Sequence, residues 1–115
     1  MSKDFWSRLD ELIESSEIEI DRPKGTQHPK APDLIFPLDY GYLKDTVGAD
    51  GNEIDVWSGT AANRELTAIA CTVDMLKKDT EFKLILGCTK EEILLIEDFH
   101  NNRYMSAIII KRESG

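Results

Sequence analysis

Soft metal ligands are scarce in this chain: two cysteines and two histidines in 115 residues. Cys71 and Cys88 form no C-x-x-C pair and have no ligand pair beside them, so a zinc site is not expected. His28 and His100 lie too far apart to share a metal by sequence spacing. No apolar run approaches the ~20 residues of a membrane span. The start, Met1 to Trp6, lacks the apolar stretch of a signal peptide. The expected compartment is the cytoplasm, where a disulfide is disfavoured. Cations are also short, with 14 Lys and Arg against 22 Asp and Glu, a net charge of −8. That balance argues against a general nucleic-acid binder and against docking on an anionic membrane. What remains is a single domain over residues 1–115, with enough carboxylates for a metal site or simply for a solvated surface.

The apolar pattern changes period along the chain. Phe5, Leu9, Leu12 and Ile13 have helical spacing, which predicts a helix over residues 3–14. Glu17 to Ile20 alternates as a strand. Residues 21–33 hold three prolines and Gly25, so a loop without regular structure is expected there. Short strands follow at Leu34 to Phe36, Tyr40 to Leu43 and Ile54 to Trp57. Residues 66–76 and 82–86 alternate and read as a hairpin turning between Asp79 and Thr80. That register sets Met75 against Leu84, Val73 against Leu86 and Cys71 against Cys88, with all six on one apolar face. Thr89-Lys-Glu-Glu92 is a capping box opening a helix over residues 90–100, and a last strand spans 105–110. The order of one helix, several short strands, one helix and one strand predicts an α+β fold with a small, strongly curved sheet or barrel.

Asp50-Gly-Asn-Glu-Ile-Asp55 carries the most chemistry. Asp50 sits in a turn that Gly51 makes possible, and Asp55 lies on the strand beyond. Alternation sends Ile54 and Val56 to one face and Asp55 and Trp57 to the other. Two carboxylates from a turn and its following strand can converge on one hard cation. A polar D-G turn with one exposed Asp fits the same spacing. An EF-hand does not, because its glycine and glutamate positions fall on Asp55 and Ala61.

Four segments in order resemble the soluble family I inorganic pyrophosphatases: Ile18 to Ile20, Pro23 to Thr26, Phe36-Pro-x-x-Tyr-Gly-Tyr42, and Asp50-Gly-x-x-x-Asp-Val56. The last matches the first and third aspartates of the family signature D-x-D-x-x-D, and the resemblance implies the family's fold, a small five-stranded OB-like barrel with an N-terminal and a C-terminal helix. The resemblance implies hydrolysis of inorganic diphosphate with Mg²⁺, or Mn²⁺, held as a pair of ions that lower the pKa of water and neutralise the leaving phosphate. It implies Asp50 and Asp55 as metal ligands, with Glu81, Asp79 and Glu19 as further acidic residues. Lys83 and Tyr40 become phosphate contacts, and Lys24, Lys30 and His28 complete the cationic shell. Relatives often form homo-oligomers.

Several positions depart from the family. Asn52 stands where the signature has its middle aspartate, the general base or orienter of the nucleophile, and an amide cannot accept a proton. Phe36 replaces a tyrosine, His28 an arginine and His100-Asn101 a Tyr-Lys pair, and a hairpin after the first strand is shortened away. Two other functions therefore stand beside diphosphate hydrolysis. One is a protein of this fold that binds metal, phosphate or a protein partner without useful turnover. The other is a hydrolase of a larger diphosphate.

Overall fold

The computed structural model describes residues 4–113. Lys3, the first residue of the expected N-terminal helix, lies outside them. Helix α1 runs Phe5–Glu14, opened by Asp4, whose carboxylate accepts from the Ser7 amide at 2.7 Å. Ten residues are too few to hold a helix in water, so α1 depends on the face it packs. Leu9 is its buried residue, with Trp6, Leu12 and Ile13 beside it, while Phe5 is 53% exposed. Strands follow at Ile18–Arg22 (β1), Gln27–His28 (β2), Ala31–Ile35 (β3), Asp39–Leu43 (β4), Ile54–Ser58 (β5), Leu66–Asp74 (β6) and Asp79–Leu86 (β7). Helix α2, Lys90–Phe99, and strand β8, Met105–Lys111, complete the order. No helix among the described residues is long and apolar enough to cross a membrane.

Six strands form one sheet in the order β1-β4-β5-β7-β6-β8. Every neighbouring pair is antiparallel except β5 and β7, which run parallel. β1 and β8 are its two edges, so the closed five-stranded barrel is replaced by an open sheet. Between Pro23 and Phe36, the expected irregular loop is a separate hairpin, β2 with β3, closed by Gly25 N–H on Phe36 O and Phe36 N–H on Thr26 O, both at 2.9 Å. Pro29 falls in its turn and Pro32 on an edge strand, where a missing N–H costs nothing.

The sheet is covered on both faces. Under α1 lie Leu43, Val56, Ile69, Leu84 and Leu86, and under α2 lie Phe36, Trp57, Ala68, Ala70 and Ile85. Val56 and Trp57 fall on opposite faces, as alternation predicts. Two glycines allow the close packing. A Cβ on Gly41 would sit 1.9 Å from the Glu19 carbonyl oxygen, and one on Gly59 2.5 Å from that of Gly87. Arg112, just past β8, ties that edge to α1 with two bonds to Asp10, at 2.9 and 2.8 Å.

The β6–β7 register differs from expectation. Cys71 faces Phe82, Ile69 faces Leu84 and Asp74 faces Asp79. The turn is therefore residues 75–78, not the Asp79–Thr80 step. Asp74 sets it by accepting the Leu76 and Lys77 amides at 2.9 and 3.2 Å, an Asx turn, and Lys78 adopts a left-handed φ of 54°. Val73 and Met75 are consequently exposed at 47% and 64%. Both cysteines are free: Cys71 packs on the α1 side and Cys88, past the Gly87 bend, on the α2 side.

Candidate functional site

A cleft of about 250 Å³ opens on the α2 side of the sheet, beside the β2–β3 hairpin and the turn before β5. The β4–β5 register sets Tyr42 opposite Asp55 and Tyr40 opposite Trp57. The parallel β5–β7 register sets Val56 beside Leu84, which brings Asp55 to Lys83. The turn carrying Asp50 is closed by Gly48 N–H on Asn52 O, with Gly51 at φ +87°. Asp50 Oδ1 then accepts the Asn52 amide at 3.0 Å, and the Asn52 side-chain amide lies 3.5 Å from Oδ2.

Charge is concentrated around Lys83, which is 4% exposed. Its ammonium donates to Asp55 Oδ2 at 3.0 Å and to Glu81 Oε1, and lies 5.6 Å from the centre of the Tyr40 ring. The Tyr40 hydroxyl donates to the same Asp55 oxygen at 2.7 Å. Burial, then the Asp55 charge, raises the Tyr40 pKa well above that of a free phenol, so Tyr40 stays a proton-bearing donor. Glu81 is raised by burial, against the pull of Lys83 and with the push of Asp55 and Asp50. Asp50 is lowered, chiefly by the Asn52 amide.

Asp50, Asp79 and Glu81 each bring a carboxylate oxygen within 4.8 Å of the others. Asp79 Oδ1 is enclosed and has no hydrogen-bond partner. Three hard oxygen donors and an enclosed oxygen lacking a proton donor are what Mg²⁺ or Mn²⁺ would satisfy, so the residues fit the cation that the sequence resemblance implies.

The opposite wall is aromatic and basic. His28 stacks on Phe36 with centroids 5.9 Å apart and planes 4° apart, and its Nδ1 accepts the Lys30 amide at 3.1 Å. Burial, then Arg22, lowers the His28 pKa. His100, at the end of α2, is 2% exposed. Trp57 Nε1–H donates to its Nε2 at 3.0 Å, which leaves the ring proton of the neutral form on Nδ1, 3.1 Å from Met105 Sδ. Burial, then the Lys83 charge, takes the His100 pKa down to about 3, so the ring is neutral.

Of the residues singled out from sequence, Asp50, Asn52, Asp55, Tyr40, Glu81, Lys83, His28 and Lys30 line this one cleft. Asp79 joins through the carboxylate trio, while Asp55 stands beside the trio, engaged with Lys83 and Tyr40. Lys24 and Glu19 are not among the lining residues. Lys24 is exposed and donates its backbone N–H to Asp39 at 2.9 Å, and Glu19 is exposed, accepting from the Tyr42 hydroxyl. Arg22, Lys77 and Asp74 line the cleft without having been singled out. Asp74 carried a readable signal, the even-numbered run Ala68, Ala70, Thr72, Asp74 along β6, all buried on one face. No family model matches the chain, and no curated protein matches it.

Proposed function

We propose that this protein hydrolyses inorganic diphosphate with a divalent cation, Mg²⁺ or Mn²⁺. The observation that carries the proposal is the carboxylate trio Asp50, Asp79 and Glu81 standing next to Lys83 in a cleft whose other walls bring Arg22, Lys30 and Lys77. Anionic ligands for a cation and cations for an anion thus face the same space. The trio would hold the metal, with Asp55 beside it. Bound there, the cation neutralises phosphate charge and acidifies water. Lys83 and the Tyr40 hydroxyl offer donors to phosphate oxygens, and Arg22 and Lys30 orient the far end. Asn52 hydrogen-bonds at the cleft mouth and holds Asp50 in place, but accepts no proton.

The test is phosphate release from diphosphate by purified protein, with and without Mg²⁺ or Mn²⁺. Metal-dependent release is expected, and Lys83→Ala should lower it by about one to two orders of magnitude, the scale of a lost electrostatic contact. No release with either metal would reject hydrolysis of this substrate, and release from a nucleoside diphosphate alone would move the function to a larger substrate. Asn52 favours a second reading, capture of metal and diphosphate without turnover. Metal-dependent diphosphate binding with no phosphate produced would select it.

A further inference from the structure

Lys83 is the one buried lysine or arginine among the described residues, and it sits on a carboxylate that the metal site also needs. Glu81 gives one oxygen to the Lys83 ammonium and belongs to the trio with Asp50 and Asp79. Asp55 gives its Oδ2 to the same ammonium at 3.0 Å. Asp74, also buried, is engaged by backbone amides of the 75–78 turn instead, with no contact to the Lys83 ammonium among its hydrogen bonds. The ammonium is therefore the internal counter-ion of the acidic end of the cleft.

Resting on the metal-site reading above, we propose that Lys83 stands in for the divalent cation and is driven off Glu81 when that cation binds, so that metal entry releases the ammonium into the cleft for a phosphate. Two cations on one carboxylate repel, and at the few ångströms available here a unit charge in a partly buried site changes affinity by about one to two orders of magnitude. The order of binding follows: metal first, then the anion that Lys83 meets. Lys83 would weaken metal binding and assist phosphate binding, opposite effects from one side chain.

Two measurements test it. Calorimetric Mg²⁺ affinity should rise about ten- to a hundredfold in Lys83→Met and stay low in Lys83→Arg. In wild-type protein, brief labelling with acetic anhydride, read by peptide mass spectrometry, should show Lys83 labelled severalfold more with saturating Mg²⁺ than without, against exposed Lys90 and Lys111 as references. Affinity that is unchanged or weaker in Lys83→Met, or wild-type labelling of Lys83 that stays flat or falls while calorimetry shows Mg²⁺ bound, would overturn the exchange but leave the metal site standing. No Mg²⁺ binding by the wild type would overturn both. Both responses present without diphosphate turnover would support the exchange and reject the hydrolase.

Discussion

Asp55 holds two groups at once, the Lys83 ammonium and the Tyr40 hydroxyl, through a single oxygen. Truncating it leaves a buried cation with one carboxylate and a buried hydroxyl with no acceptor. Asp55→Ala is therefore expected to abolish diphosphate hydrolysis and also to cost about 1–3 kcal/mol of stability, the range for a buried group stripped of its partner. A urea titration giving wild-type stability would show that Lys83 and Tyr40 re-pair without it. Asn52 asks the opposite question, whether a carboxylate can be added. General-base assistance contributes about 10²–10⁴-fold, so Asn52→Asp should raise turnover toward that range if proton removal is limiting. A flat rate at saturating diphosphate and Mg²⁺ would reject that idea. These roles were readable because alternation is strict in both strands: Asp55 shares a face with Trp57, and Glu81 shares a face with Lys83 and buried Ile85. One feature was not readable. The Asp55–Lys83 pair depends on a parallel register that neither strand encodes by itself.

Helix ends were the most legible elements, because capping is local chemistry. The capping box at α2 is complete: Thr89 Oγ1 accepts the Glu92 amide at 3.2 Å and Glu92 Oε1 accepts the Thr89 amide at 2.9 Å. Glu92 also accepts from the Thr60 hydroxyl at 2.7 Å, fastening the β5–β6 connection to the helix. Burial alone would raise its pKa, but the bonds from Thr89 and Thr60 outweigh burial and leave it below its ordinary 4.5. A depressed folded pKa adds stability that is full above that value and is lost as pH falls through the folded one. Glu92→Gln should cost about 1–2 kcal/mol at neutral pH, the scale of a lost cap, and should flatten the fall in stability as pH drops below the ordinary 4.5. Thermal melts with the same acid limb in both proteins would assign that limb to other carboxylates. The hairpin register was less legible. Its apolar alternation persists through Val73 and Met75, which solvent receives, so the pattern fitted two turns equally well and the Asx turn at Asp74 decided between them.

An open sheet has two edges to protect, which a closed barrel would not. Edge β1 carries Glu19 and Asp21, both exposed. Edge β8 is masked by a residue just past α2. The Asn101 carboxamide donates to the Ala107 carbonyl at 3.3 Å and accepts the Ala107 N–H at 3.1 Å, imitating a seventh strand for one residue. Beside it lie Ile108 and Ile110, 63% and 43% exposed. Asn101→Ala is expected to leave the melting temperature within a few degrees and to raise the aggregation rate, measured by light scattering at equal protein concentration. An unchanged rate would show that the edge is guarded by other means. Composition and period reached the α+β class, the helix positions and the opposed faces of β5. They did not reach strand order or closure, which are set by which strands meet across long stretches of chain. The parallel pairing of β5 with β7 also fixes when the cleft can come into being. A hairpin zips from its turn, but strands 54–58 and 79–86 meet only after the intervening chain has gone out as β6 and returned, and that ordering cost falls due before any contact rewards it. On a ribosome the acidic turn and Asp55 emerge well ahead of their lysine. The growing chain thus carries that acidic loop without its counter-ion until β7 pairs with β5 and assembles the cleft.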